Sequence, residues 1–374
     1  MNRREFLSKL IRYGLSAGAV SFLPVQRLFA QGFYPQLTIP IIDAHAHYPG
    51  DLSTVSEGYT FDAIHNANIS ATSFAVLGDR TSGDGPYANT LQGIKIVTGL
   101  ESDGLVKIVR RPSDIPLQPN SNGPIPIILA IEGGDAIETD LKRLDEFYKM
   151  GVRMITLVHG TYNEPGDNQI GNDMRRHSSN DQEDEGLTDF GYQVVRRMNR
   201  LGMIVDVAHA SAQTLFDVAS YTRAPIIDSH TSILPPTVTE RIVRPEDGRA
   251  GRQRLYSEAE AIVETGGVVC TYPIKDASLG PDYNRLTLAD WVEEITLFKS
   301  HFGIRHIGFG TDSGGGLPSF VEGWSDITSV HSLQDAMRLG GLTTLETSAF
   351  MSLNFLRVFT RCHAVAQILS YFKA

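Results

Sequence analysis

A single (β/α)8 TIM barrel is the fold this sequence predicts, on two observations. Eight short apolar, β-branched runs bounded by glycine or proline fall near 40–45, 71–77, 125–131, 153–158, 203–208, 225–229, 267–272 and 306–310, the length and composition of buried strands. Helical spacing fills several of the intervals, at 139–150, 188–201, 212–221, 257–264 and 288–302. Strand alternating with helix, repeated eight times, is the pattern of a closed parallel barrel. No linker divides the runs, so 31–374 reads as one catalytic-size domain with helices closing its C-terminal end.

Taken in order, most of the runs end on a residue with chemistry. The first reads Asp43-Ala44-His45-Ala46-His47, and alternation along a strand sends His45 and His47 to one face and the alanines to the other. The second run leads into a polar stretch, 78–87. The third ends on Glu132, and Gly133 and Gly134 let the backbone turn sharply while the carboxylate stays at the strand end. The fourth leads to His159, then to a long polar segment, 163–185, which with 78–87 makes the predicted lid over the barrel mouth. The fifth and sixth end on His209 and His230. The seventh holds Cys270 in the apolar run GGVVCTY, and the eighth is followed by Asp312.

A lone histidine at a strand end is more often a satisfied structural residue than a ligand. Two on adjacent strands, beside an HxH strand and a carboxylate able to bridge two cations, point to metal. The predicted barrel is therefore of the metal-dependent hydrolase type, with His45, His47, Glu132, His209 and His230 as candidate ligands of two cations.

Outside the barrel, Arg3 and Arg4 stand directly before Glu5-Phe6-Leu7, followed by an apolar stretch from Leu15 to Val25 and small residues near Ala30. The apolar part is shorter than the roughly 20 residues that span a bilayer. Residues 1–30 resemble a twin-arginine export signal cleaved after Ala30, which implies the export machinery as a partner, a periplasmic or otherwise extracytoplasmic location, and folding with metal before export. The formal charge of −10 becomes about −14 once the leader's five basic residues and Glu5 are removed. That excess of acid argues against nucleic acid and anionic membranes as partners. The two cysteines, Cys270 and Cys362, do not make a disulfide framework, and Cys270 reads as a buried core thiol. A homodimer is one assembly such a chain admits.

The segments IIDAHAH, AIEGGDAI, GVRMITLVHGTYNEPGDN, GLTDFGYQVVRRMNRLGMIVDVAHAS, APIIDSHTS, HIGFGTDSGG and NFLRVF, from Ile41 to Phe359, resemble the membrane (renal-type) dipeptidases, the M19 zinc peptidases. That resemblance implies His45, Glu132, His209 and His230 as ligands of two Zn2+, with His47 at the place of the family's fifth ligand. It implies His159 as the histidine near the scissile carbonyl, Asp312 as the aspartate that handles the proton and the substrate amine, and Arg241, with Arg244 close by, as the arginine for the substrate carboxylate. Two departures stand out: His47 occupies the place of the family's usual aspartate, and Asp135 that of a histidine after EGG. The implied reaction is hydrolysis of a dipeptide's amide bond by a metal-bridging hydroxide. The alternatives are another metal-dependent amidohydrolase, acting on N-acyl amino acids, lactams or lactones, and an exported, catalytically degenerate binding protein.

Overall fold

In a computed structural model of the chain, the residues described are 39–49, 57–79, 84–116, 118, 122–160, 163–169, 184–239, 253–275, 284–317 and 319–371. The predicted export segment, Arg241, Arg244 and most of the 163–185 loop lie outside them. Strands β1 (Ile42–His47), β2 (Ala71–Leu77), β4 (Ile125–Glu132), β5 (Val152–Thr156), β6 (Ile204–Asp206), β7 (Ile226–Thr231), β8 (Val268–Thr271) and β9 (Ile307–Phe309) pair in that order. Every pairing is parallel, and each strand coincides with one of the eight apolar runs.

The ring closes between β1 and the segment that follows β9. His47 N donates to Ser313 O at 2.8 Å and Asp312 N to His45 O at 2.8 Å. The buried Asp43 carboxylate reinforces the seam by accepting Thr311 N at 2.9 Å and Thr311 Oγ1 at 2.6 Å. Burial pushes this acid up to about 7 in spite of those bonds. The β1 carboxylate is thus committed to barrel closure, which carries its two histidines and Asp312 to the same end of the ring.

All five predicted helices are present: α3 (Lys142–Met150), α4 (Asp189–Leu201), α5 (Ala212–Tyr221), α6 (Tyr256–Glu264) and α7 (Leu288–Phe302). The first of these starts three residues later than its spacing suggests: the chain leaves the 3-10 turn Gly134–Ile137 through Glu138 at φ 48°, and Leu141 is the residue that caps the helix. Three elements have no counterpart in the sequence reading: α1 (Phe61–Asn66), α2 (Pro86–Ser102) and the edge strand β3 (Val106–Ile108), which pairs with the start of β4 outside the ring. Helix α2 buries a narrow stripe, Pro86, Thr90, Ile94 and Val97, while Ile96 on another face stays 42% exposed. Such a helix has little amphipathic contrast to detect, and its first turn takes Pro86 and Tyr87 out of the predicted 78–87 loop.

The C-terminal helices α8 (Val330–Leu339), α9 (Thr344–Ser348) and α10 (Asn354–Tyr371) follow β9. Helix α10 drives Phe355, Val358, Phe359 and Cys362 into the barrel core beside Ile204, Ala224 and Cys270. The Cys362 thiol donates to Pro225 O at 3.4 Å, just before β7, so this helix packs at the N-terminal ends of strands and leaves the opposite mouth to the site. Both cysteines are free and buried, Cys270 as expected.

Candidate metal centre

Glu132 is the hub. Its Oε1 lies 3.1 Å from His209 Nε2, 3.5 Å from His45 Nε2 and 3.5 Å from His230 Nε2, and its Oε2 lies 3.5 Å from His47 Nε2. Asp312 faces the same space, with Oδ1 3.9 Å from His45 Nε2 and 3.8 Å from His47 Nε2. The donors fall into three compact groups: His45, His47 and Glu132; Glu132, His209 and His230; and His45, His230 and Asp312. Five imidazole or carboxylate ligands named from strand ends are therefore brought together, and His47 stands among them in spite of replacing an aspartate.

The local backbone explains each placement. His45 and His47 alternate on β1, and Glu132 ends β4. Gly133 takes φ 111°, a conformation open to glycine, and a Cβ there would lie 2.8 Å from Asp79 Oδ1. His230 is the penultimate residue of β7. His209 and Asp312 lie three residues beyond β6 and β9, and both are left-handed, at φ 62° and 54°. A non-glycine residue in that region is strained by about 1–3 kcal/mol and persists where the surroundings enforce it. Around Asp312 the enforcement comes from the β1 seam and from Glu57, whose carboxylate accepts Gly314 N at 2.6 Å and Gly316 N at 3.1 Å.

Around His209 it comes from Arg254, fully buried and invisible to a search for ligands. Its guanidinium donates to Val207 O at 2.5 Å and Ala210 O at 2.8 Å, bracketing the turn that presents His209, and to Asp228 Oδ2 at 2.6 Å on β7. Arg254→Met leaves the buried Asp228 and Glu258 carboxylates without their cation. We expect it to lower stability by about 3–5 kcal/mol, seen as a lower urea midpoint; an unchanged midpoint would show that the turn does not depend on it.

The electrostatics favour a cation. Burial alone would raise Glu132, but His159, His45 and His209 outweigh it and hold the carboxyl well below the usual carboxylate range. Burial likewise opposes charge on His45, yet Glu132, Asp312 and Asp206 push that imidazole up to about 9. His45 Nε2 is buried with no hydrogen-bond partner, and His209 Nε2 approaches His230 Nε2 to 2.8 Å. An orphaned imidazole nitrogen and two more facing each other across one carboxylate oxygen are donors suited to divalent metal, and four histidines with a bridging glutamate suit zinc. Asp135 belongs to none of the three groups; it is buried in the 3-10 turn Gly134–Ile137.

His159 stands at the edge of this cluster, its Nε2 3.7 Å from Glu132 Oε1 and its ring edge-on to His209. Its Nδ1 meets Asp79 Oδ2 at 2.6 Å. Asp79, in the polar stretch after β2, escaped the sequence reading because nothing local marks an aspartate in a loop as the partner of a histidine 80 residues away. Asp206 and Ser229 escaped it too, although they share the short segments VDVAH and DSH with His209 and His230.

The family described as membrane dipeptidase, peptidase family M19, matches residues 36–371. An uncharacterized dipeptidase of Schizosaccharomyces pombe is 32% identical over 251 residues, 67% of this chain and 56% of the relative, so the chain spans just over half the length of the curated relative it matches. Among solved structures, the probable dipeptidase PvdM of Pseudomonas aeruginosa superposes with a TM-score of 0.71 at 20% identity, covering 88% of this chain and 96% of that one. A metallopeptidase of Rhodobacter sphaeroides, liganded with a phosphinate mimic of the dipeptide L-Ala-D-Ala, gives 0.69 at 19% identity, covering 87% and 99%. At these identities the structural likeness is one of fold.

Proposed function

Because the chain belongs to the membrane dipeptidase family, peptidase family M19, we propose that it hydrolyses the amide bond of dipeptides with two zinc ions held by His45, His47, Glu132, His209 and His230. The observation that carries this reading is Glu132, a buried carboxylate whose two oxygens face separate imidazole groups, the arrangement a bridging ligand needs. When bound, a zinc pair supplies Lewis-acid polarisation of the scissile carbonyl and acidifies the attacking water.

The chain's own residues do the rest. Asp79, bonded to His159 Nδ1, fixes that ring so that Nε2 presents toward the cluster, where the ring in its protonated, two-donor form donates to the oxygen that gains charge as the carbonyl is attacked. Asp312, held at the mouth by the β1 seam, accepts the proton of the attacking water and passes it to the leaving amine. Arg241, or Arg244 beside it, pairs with the free carboxylate of the substrate through a two-pronged guanidinium. The Arg3 and Arg4 leader belongs to the same proposal, since a chain exported folded acquires its metal before it crosses.

Zinc analysis combined with a substrate panel tests the reading. The expected result is two zinc per chain, with turnover of dipeptides that have a free C-terminus, L-Ala-D-Ala among them, and loss of turnover on their C-terminal amides. Faster hydrolysis of N-acyl amino acids or lactams would assign the chain to another amidohydrolase activity. Bound zinc with no hydrolysis across the panel would leave a binding protein.

A further inference from the structure

We propose that the Ser229 hydroxyl, oriented by Asp206, is a positioning group that fixes the tautomers of two ligand histidines at once, His45 and His230, and thereby joins the two halves of the metal centre. The inference rests on the metal-site reading above and adds to it residues that hold no metal themselves.

The argument is one of counting protons. Asp206 ends β6 and is fully buried. Its Oδ1 accepts Ala208 N and Ser229 N, each at 3.0 Å. Its Oδ2 accepts Thr156 Oγ1 at 2.6 Å and Ser229 Oγ at 2.7 Å. A serine hydroxyl has one proton and two lone pairs. With the proton given to Asp206, the lone pairs face His230 Nδ1 at 2.9 Å and His45 Nδ1 at 3.2 Å. Both ring nitrogens must then be donors, which places N–H on Nδ1 of each ring and leaves each Nε2 bare toward the cluster. His45 belongs to the group with His47 and Glu132, His230 to the group with His209 and Glu132, and the two share a third group with Asp312, so a single hydroxyl orients one ligand of each group that Glu132 joins.

The alternative is that Ser229 and Asp206 merely satisfy each other in the core, and a double-mutant cycle on zinc affinity separates the two. The full-length chain, its metal removed by chelation, is titrated with zinc against a chromophoric competitor. Ser229→Ala should weaken zinc binding about 10–100-fold, the usual cost of removing the partner of a ligand histidine. In Asp206→Asn the amide oxygen must stay on the two backbone N–H groups, so the amide nitrogen faces Ser229 Oγ and donates to it. The serine proton then turns onto a histidine Nδ1, and that ring's own proton moves to Nε2, where it opposes ligation. The loss should at least equal that of Ser229→Ala. Combining the two changes removes the misdirected relay, so the double variant should bind zinc no worse than Asp206→Asn alone.

Additive losses in zinc affinity would overturn the proposal, since two changes to a single relay cannot each cost in full. A second measurement covers the case in which Asp206→Asn does not fold. In the zinc-loaded protein, 15N-resolved spectra should show slowly exchanging Nδ1 protons on His45 and His230, lost in Ser229→Ala; unchanged protection there would overturn the proposal by itself. If the unsubstituted chain fails to bind two zinc ions, the metal reading falls. If it binds them and Ser229→Ala matches it, only the present inference falls.

Discussion

Glu132→Ala is expected to abolish both zinc occupancy and turnover, the latter by about 10³-fold or more, since the several kcal/mol that metal supplies to a transition state is lost with it. Among the described residues, Glu132 is the only carboxylate within 3.1–3.7 Å of His209, His45, His47, His230 and His159 together. Without it the imidazoles lose the anion that draws a cation among them. Emission spectroscopy for zinc, run beside dipeptide kinetics, checks both halves of the expectation. His47 belongs in the same series. His47→Ala should lose occupancy, whereas His47→Asp, which returns an oxygen donor of the usual family type to a side chain 13% exposed at the mouth, should keep it. Full zinc content and normal turnover in His47→Ala would make that histidine a bystander, and the same result in Glu132→Ala would end the metallohydrolase reading.

His159→Ala should behave in the opposite way, keeping its zinc while kcat falls about 10²–10³-fold, the cost of removing one preorganised donor to a developing oxyanion. The distances set this expectation, because His159 Nε2 is farther from Glu132 than any of the four ligand imidazoles, and its other nitrogen is engaged by Asp79 at 2.6 Å. Asp79→Asn should move the same parameter by a smaller factor, since the amide can still accept from Nδ1–H but no longer offers a full negative charge to orient the ring. Steady-state kinetics with metal content measured on the same samples decides the matter. Loss of zinc in His159→Ala would make it a ligand, and a change in KM alone would confine it to substrate binding.

Much of this was legible along the chain. The eight apolar runs became the eight barrel strands, and the side chains of DAHAH, EGG, VDVAH and DSH met at one mouth, because a strand's alternation and its end are local properties of sequence. What local pattern could not show was whatever depends on contacts across the ring. Helix α2 was hidden because its buried face is a narrow stripe that includes Thr90. Asp43, an acid beside two ligand candidates in DAHAH, is spent on Thr311, 268 residues away.

By itself, then, the sequence determined the barrel, its order of strands and the histidines and acids that end those strands, since periodicity and strand-end chemistry are written in neighbouring residues. Only the tertiary structure decided what holds those donors in place: Arg254 around the strained turn of His209, Asp79 behind His159, and Ser229 with Asp206 behind His45 and His230. A hydrogen bond is decided by distance and angle within about 3 Å, and only closure of the barrel brings Ser229 to His45 across 184 residues.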